Sequence, residues 1–253
     1  MKSVSFVISL LLLLNVAASA QSQTAEQYNR SGLTKKAKGD LEGAISDYNK
    51  AIELNPRFAD AYSNRGVARK ARGDLDGAIA DYDRAIKLSP NLKEPYNNRG
   101  LAQQLRGNLD AAIDDFHKAL RIDPNFAGAH YNLASAARAK GDLKLAFDEL
   151  TKAIASPDND HLSQSYNNRG TIRHEQGDNL GALVDYSKAI KIDPLNVLAY
   201  ANRGYALILL GRDNESQTDF DQVLKLRPGS KAAVDESIKN AKEERAGKRS
   251  PEF

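Results

Sequence analysis

One register repeats along this chain, and it limits the fold more than any other feature. Asn-Arg-Gly occurs at residues 64–66, 98–100, 168–170 and 202–204, so the first pair and the last pair are each 34 residues apart. The middle interval of 70 is two periods plus two residues. It places a degenerate copy at Asn132-Leu133-Ala134 and a short insertion within Ser156 to Leu162. Counting back one period from Asn64 reaches Arg30, with Gly32 in register, so six units begin at Ala25, Ala59, Lys93, Ala127, Ser163 and Val197. A period of this size means stacked supersecondary units, each unable to bury its apolar face alone.

Aligned in this way, the eighth position is small throughout (Gly32, Gly66, Gly100, Ala134, Gly170, Gly204), and so is the twentieth (Ala44, Ala78, Ala112, Ala146, Ala182, Ser216). The fourth position is large, as Tyr28, Tyr62, Tyr96, His130, Tyr166 and Tyr200, and the twenty-fourth is Tyr48, Tyr82, Phe116, Leu150, Tyr186 and Phe220. Small residues facing small ones let two antiparallel helices approach closely, and the large rings fill the space around that contact. Position twenty-seven, Ala or Val in every unit, serves the next helix in the stack. Gly39-Asp40, Gly73-Asp74, Gly107-Asn108, Gly141-Asp142 and Gly177-Asp178 each supply a helix stop and then an acceptor for the next helix's free amides. The sixth unit has Gly211-Arg212 and lacks that acceptor. Each unit closes on a proline (Pro56, Pro90, Pro124, Pro157, Pro194, Pro228), which cannot continue a helix.

These residues together resemble the tetratricopeptide repeat family. The resemblance implies an all-α fold, a right-handed α-α superhelical solenoid of six tetratricopeptide repeats over 25–58, 59–92, 93–126, 127–162, 163–196 and 197–230. An amphipathic stretch over 231–246 reads as a C-terminal cap helix, and 247–253 as a disordered tail. The family pattern prefers Trp or Leu at positions four and seven, whereas here Tyr takes the first and Arg65, Arg99, Arg169 and Arg203 take the second. Repeat four departs furthest. Position twenty-three is acidic in every unit (Asp47, Asp81, Asp115, Glu149, Asp185, Asp219), so each Arg is expected to pair with such a carboxylate, across its own hairpin or the neighbouring repeat.

Composition removes several functions. Among 253 residues there is no Cys and no Trp, which excludes disulfides, thiolate metal sites and cysteine nucleophiles. With 36 Lys and Arg against 33 Asp and Glu, the net charge of +3 supplies no basic face for nucleic acid. Residues 1–20 carry one cation, an apolar run and Ala18-Ser19-Ala20, the pattern of a secretory signal peptide, followed by a short linker at 21–24. No later apolar run has transmembrane length, so the product is expected to be exported and not membrane-embedded, in a periplasm ahead of the extracellular space.

The resemblance implies that the first helix of each pair lines a concave groove through positions two, five, six, nine, twelve and thirteen. Position six is Asn64, Asn98, Asn132, Asn168 and Asn202, and position twelve carries Lys36, Lys70, Arg138 and His174. A primary amide donates and accepts, so such a row can hold the backbone of an extended peptide with little regard to its sequence. It resembles the asparagine ladder in the repeats of O-linked N-acetylglucosamine transferases. The other reading is that these amides make local contacts inherited with the repeat. The family's carboxylate clamp is not matched, since its positions hold Asn29, Leu33, Glu94 and Asn98.

Leu198, Tyr205, Ile208 and Leu209 form an apolar group in the last repeat that fits a peptide anchor, a dimer surface or contact with the cap helix. His117, His130, His161 and His174 lie without metal spacing, and no phosphate loop or acid pair in a cleft is visible, so no catalytic residue, metal or cofactor is expected. The reading is a non-enzymatic scaffold or adaptor for a protein or peptide partner. Its alternatives are a structural protein that forms homo-oligomers through its C-terminal repeats, or an accessory subunit of an envelope enzyme or assembly complex.

Overall fold

A computed structural model describes residues 24–157 and 159–247, and all regular structure among them is helical. The signal-peptide segment, most of the linker and residues 248–253 lie outside the described residues. The chain divides into two compact units, the first ending at Asn91 and the second beginning at Leu92, on the boundary between repeats two and three. The first unit holds α1 (Ala25–Ala37), α2 (Leu41–Leu54), α3 (Ala59–Ala71) and α4 (Leu75–Leu88). The second holds α5 (Lys93–Leu105), α6 (Leu109–Ile122), α7 (Ala127–Ala139) and α8 (Leu143–Ala155). It continues through α9 (Leu162–Glu175), α10 (Asn179–Ile192), α11 (Val197–Leu209) and α12 (Asp213–Leu226). A 3-10 turn, Pro228–Ser230, then leads into α13 (Lys231–Arg245).

The turns explain why the helices stop and start where they do. Gly73 at φ 89° takes the left-handed conformation that closes α3, at little steric cost only for glycine. Asp74 Oδ1 then accepts from the Gly77 amide at 2.9 Å, and Asp40, Asp142 and Asp178 cap α2, α8 and α10 in the same way. Asn108 differs from the sequence expectation. It makes no capping bond, because its Nδ2 donates to Gln103 Oε1 at 2.9 Å instead.

Packing within each hairpin turns on positions eight and twenty-four. A Cβ placed on Gly100 would lie 2.6 Å from Cε1 of Phe116, and on Gly66 it would lie 2.7 Å from the Tyr82 ring, so the ring occupies the volume a methyl would need. Tyr48, Tyr82, Phe116, Tyr186 and Phe220 are consequently buried, each removal of a ring from water contributing roughly 2–3 kcal/mol. In repeat four the relation inverts. Ala134 faces Leu150, and the smaller, non-planar side chain leaves room for a methyl.

The arginines at position seven reach the acids of their own hairpins. Nε and Nη2 of Arg65 donate to the two oxygens of Asp81 at 2.9 and 2.6 Å, and Arg99–Asp115, Arg169–Asp185 and Arg203–Asp219 share this fork geometry. The third nitrogen works between repeats: Nη1 donates to Asn49 Oδ1 from Arg65, to Thr151 Oγ1 from Arg169 and to Ser187 Oγ from Arg203. Of the two places the sequence left open for the carboxylate, the forks use the same hairpin, and Arg65, Arg169 and Arg203 add a neutral acceptor in the preceding repeat. Repeat one substitutes Ser31 and Lys35 around Asp47. Repeat four substitutes His130, whose Nδ1 lies 2.5 Å from Glu149 Oε2 and whose Nε2 lies 2.9 Å from the Pro124 carbonyl oxygen. Burial disfavours the Glu149 anion, but the bonds from His130 and Lys152 outweigh it and hold the carboxyl below its ordinary range.

Between repeats of the second unit, a first helix packs mainly on the second helix before it and at most lightly on the previous first helix. The last helix breaks this rule, since α13 rests far more on α11 than on α12.

Candidate functional site

The inner face of each unit is built from first helices, which before the last repeat carry mostly polar residues at positions five, six and twelve because the opposite side of each helix is spent on the hairpin. In the first unit, Asn64 Nδ2 donates to Asn29 Oδ1 at 3.0 Å. In the second unit, Asn132 donates to Asn97 Oδ1 at 2.9 Å and Asn202 to Asn167 Oδ1 at 3.0 Å. Asn168 Nδ2 donates to Tyr131 Oη at 3.4 Å, and its Oδ1 accepts from Asn167. Asn98 is half-buried and makes no side-chain hydrogen bond among the described residues. The amides thus have an architectural task, tying a first helix to the one before it. That task uses one amide hydrogen and leaves the Oδ1 of Asn64, Asn132 and Asn202 without a donor among the described residues.

The cations at position twelve separate into two kinds. Lys36 and Lys70 are half-buried and make no ion pair among the described residues, and burial pushes the Lys70 ammonium below the ordinary lysine value. Arg138 instead forms an ion pair with Glu175 on the next first helix.

The structure brings two of the predicted residues, Arg138 and Asn168, into one cleft of about 1180 Å³ in the second unit, walled by α7, α9, α11 and α13. His174, from the position-twelve row, and Tyr205, from the apolar group of the last repeat, join them, whereas Glu175 and Glu244 were not expected from the sequence. Glu175 pairs with Arg138, His174 Nδ1 lies 2.7 Å from Asn179 Oδ1, and Tyr205 Oη donates to Glu244 Oε2 at 2.7 Å. The His174 and Tyr205 rings meet edge to face at 5.5 Å. Glu175 follows Arg138 by 37 residues, one period plus the two-residue insertion plus one, so it could have been found once the insertion was counted. Glu244 lies outside the repeat and gave no signal. The apolar group of the last repeat divides: Tyr205, Ile208 and Leu209 lie against α13, while Leu198 stays exposed.

The cleft offers donors, acceptors and one aromatic edge, and its charged groups already hold partners. Among the described residues no group of His, Asp or Glu is arranged to hold a metal ion, and no helix is long and apolar enough to cross a membrane.

Comparison with known proteins agrees with this architecture. A sequence model described as TPR repeat matches residues 32–71, 68–107 and 170–211, and models described as Tetratricopeptide repeat match 94–126, 127–160 and 197–230. The chain is 41% identical over 58 residues to the tetratricopeptide repeat and J domain-containing co-chaperone DNJ1 of Fusarium oxysporum, covering 23% of this chain and 11% of that protein. It is 38% identical over 65 residues to human mitochondrial import receptor subunit TOM70, covering 26% of this chain and 11% of the receptor. It therefore spans about a ninth of the length of these curated relatives.

Among solved structures, Pseudomonas aeruginosa pilF superimposes with a TM-score of 0.75 at 17% identity, over 87% of this chain and 97% of that one. YrrB, described as a TPR protein with an unusual peptide-binding site, does so with a TM-score of 0.60 at 23% identity, over 76% and 97%. With the hairpin geometry, the six-fold register and the family models all coinciding, this chain belongs to the tetratricopeptide repeat family and is built as a protein-protein interaction scaffold.

Proposed function

We propose that this scaffold is a non-enzymatic adaptor that lays an extended segment of a partner protein along α7, α9 and α11 of the second unit. One observation carries the reading: Asn132, Asn168 and Asn202 are held on successive first helices by inter-repeat bonds, and Asn168 lines an open cleft. Acceptors fixed before the ligand arrives lose little entropy on binding, and backbone amides are the donors an extended segment always supplies. The peptide-binding site named for YrrB supports this reading by analogy of fold. We further propose export, on the pattern of residues 1–20; the mature chain would then begin at Gln21, which N-terminal sequencing of the native protein reads directly.

The test compares residues 21–253 with a variant carrying Asn132→Ala and Asn168→Ala, each as bait in host envelope extract, after circular dichroism has shown equal helicity. A partner retained by the parent chain and lost from the variant supports the groove. Equal retention by both removes these two amides from recognition and moves the site elsewhere.

Self-association is the second reading, favoured by the exposure of Leu180, Leu195 and Leu198 at 66, 70 and 63%. A molecular mass that rises with concentration and is abolished by Leu198→Glu, with the amide variant unaffected, would establish it in place of the adaptor.

A further inference from the structure

The position of α13 departs from what a cap requires. A cap helix that merely continued the stack would lie on α12, as α11 lies on α10. Instead α13 lies on the inner face of the last repeat. Val234, Ile238 and Ala241, at spacings of four and three, turn toward Tyr205, Ile208 and Leu209 of α11. Two polar contacts fix its far end: Glu244 accepts from Tyr205, and Arg245 Nη1 donates both to the Ile208 carbonyl oxygen at 2.8 Å and to Asp213 Oδ2 at 2.6 Å.

The seat is specific, but it is lightly filled. Only Val234 and Ala241 of α13 are fully buried, and Ala241 brings a single methyl. Lys231, Asp235, Glu236, Lys239 and Lys242 face solvent. The Arg245–Asp213 pair is itself more than a third exposed, so it holds the helix only modestly. An apolar inner face covered by a short, loosely seated amphipathic helix is a groove that reads residues at i, i+4 and i+7.

We infer that the inner face of the last repeat is a docking surface for one amphipathic helix of a partner protein, and that α13 is its resident and displaceable occupant. The contacts of α13 define the chemistry of the incoming helix. It presents three aliphatic side chains at i, i+4 and i+7, and four residues later a cation that takes Asp213 and the Ile208 carbonyl. This surface goes beyond the extended-segment reading above: it shares α11 and Tyr205 with that cleft but uses neither α7 nor α9.

The probe is a fluorescent peptide copying residues 228–247, titrated into the full chain and into two unseated variants, Arg245→Glu and Ala241→Asp. Removing the exposed ion pair should raise probe affinity about fivefold, because the competent fraction of the surface rises by that factor. Ile208→Asp in the same background should abolish the gain, whereas Asn132→Ala with Asn168→Ala should leave it intact. Amide exchange should be faster in α13 than in α11 of the parent chain. The inference is overturned if both unseated variants bind the probe no better than the parent while α13 exchanges as slowly as α11, which makes α13 a permanent cap. It is also overturned if unseating produces a concentration-dependent dimer, which makes a second copy the occupant.

Discussion

Repeat four and the other repeats of the second unit solve one packing problem with different side chains. In repeats three, five and six an arginine at position seven forks onto the acid at position twenty-three, and a glycine admits a ring. In repeat four, position seven is Leu133, position eight gains a methyl as Ala134, the ring becomes Leu150, and the acid is met by His130 from position four. The buried acid is the fixed element, and the donor that meets it is interchangeable. What cannot change alone is one member of a matched set, because each set shares a volume and a charge balance.

The largest effect should come from separating an acid from its cation. Asp219 is 2% exposed and has Arg203 as its ion partner, so Arg203→Leu should cost about 3–5 kcal/mol in chemical denaturation. Adding Asp219→Leu should return most of that loss, since a buried pair replaced by apolar residues is often near neutral. A single variant as stable as the parent would mean that the pairing is incidental. Next in size is the glycine set. Gly100→Ala drives a methyl against Phe116 and should cost about 1–3 kcal/mol, and Phe116→Leu in the same chain should relieve it, as Ala134 with Leu150 does in repeat four. If the double variant is worse than the sum of its parts, the two sets are not exchangeable.

The acid limb sharpens the comparison further. Glu149 is held below its ordinary value in the folded chain, so its stabilisation is present above the unfolded pKa and is lost as pH falls through the folded one. His130→Phe removes a charge-assisted bond worth about 1.5 kcal/mol and should make acid unfolding begin at higher pH. The smallest effect has the opposite sign. The Tyr82 hydroxyl is buried without a hydrogen-bond partner among the described residues, whereas repeats three and six use Phe at that position. Tyr82→Phe should therefore raise stability, by about 0.5–1 kcal/mol. The Tyr48 phenol, likewise unpartnered and pushed up to about 12 by burial, should make the parent chain lose stability between about pH 10 and about pH 12, and Tyr48→Phe should blunt that loss.

Features that recur in every unit were legible in the sequence. The period fixed the hairpins, Gly73-Asp74 marked a stop and a start, and the acid at position twenty-three called for a cation nearby. Departures from the repeat were harder to read. His130 was placed as a packed ring because position four is aromatic elsewhere; its bond to Glu149 depends on a helix-to-helix distance that spacing does not give. The seat of α13 was hidden for a related reason. Its apolar residues show that one face is covered, but a covered face can lie on either neighbouring helix. The amides at position six were visible, yet their partners at position five were not, because the offset between adjacent first helices is set by packing.

Those amide bonds alternate along the sequence. Position five is Asn29, Ser63, Asn97, Tyr131, Asn167 and Ala201, so the Asn-to-Asn bond joins repeats one and two, three and four, and five and six. The chain therefore carries a second period, twice the first, written in its side-chain bonds. The boundary between repeats four and five is tied by other side chains, Asn168 to Tyr131, Arg169 to Thr151 and Arg138 to Glu175. Neighbouring boundaries in the second unit are thus held by different chemistry, and a change at position five loosens only the boundary it serves.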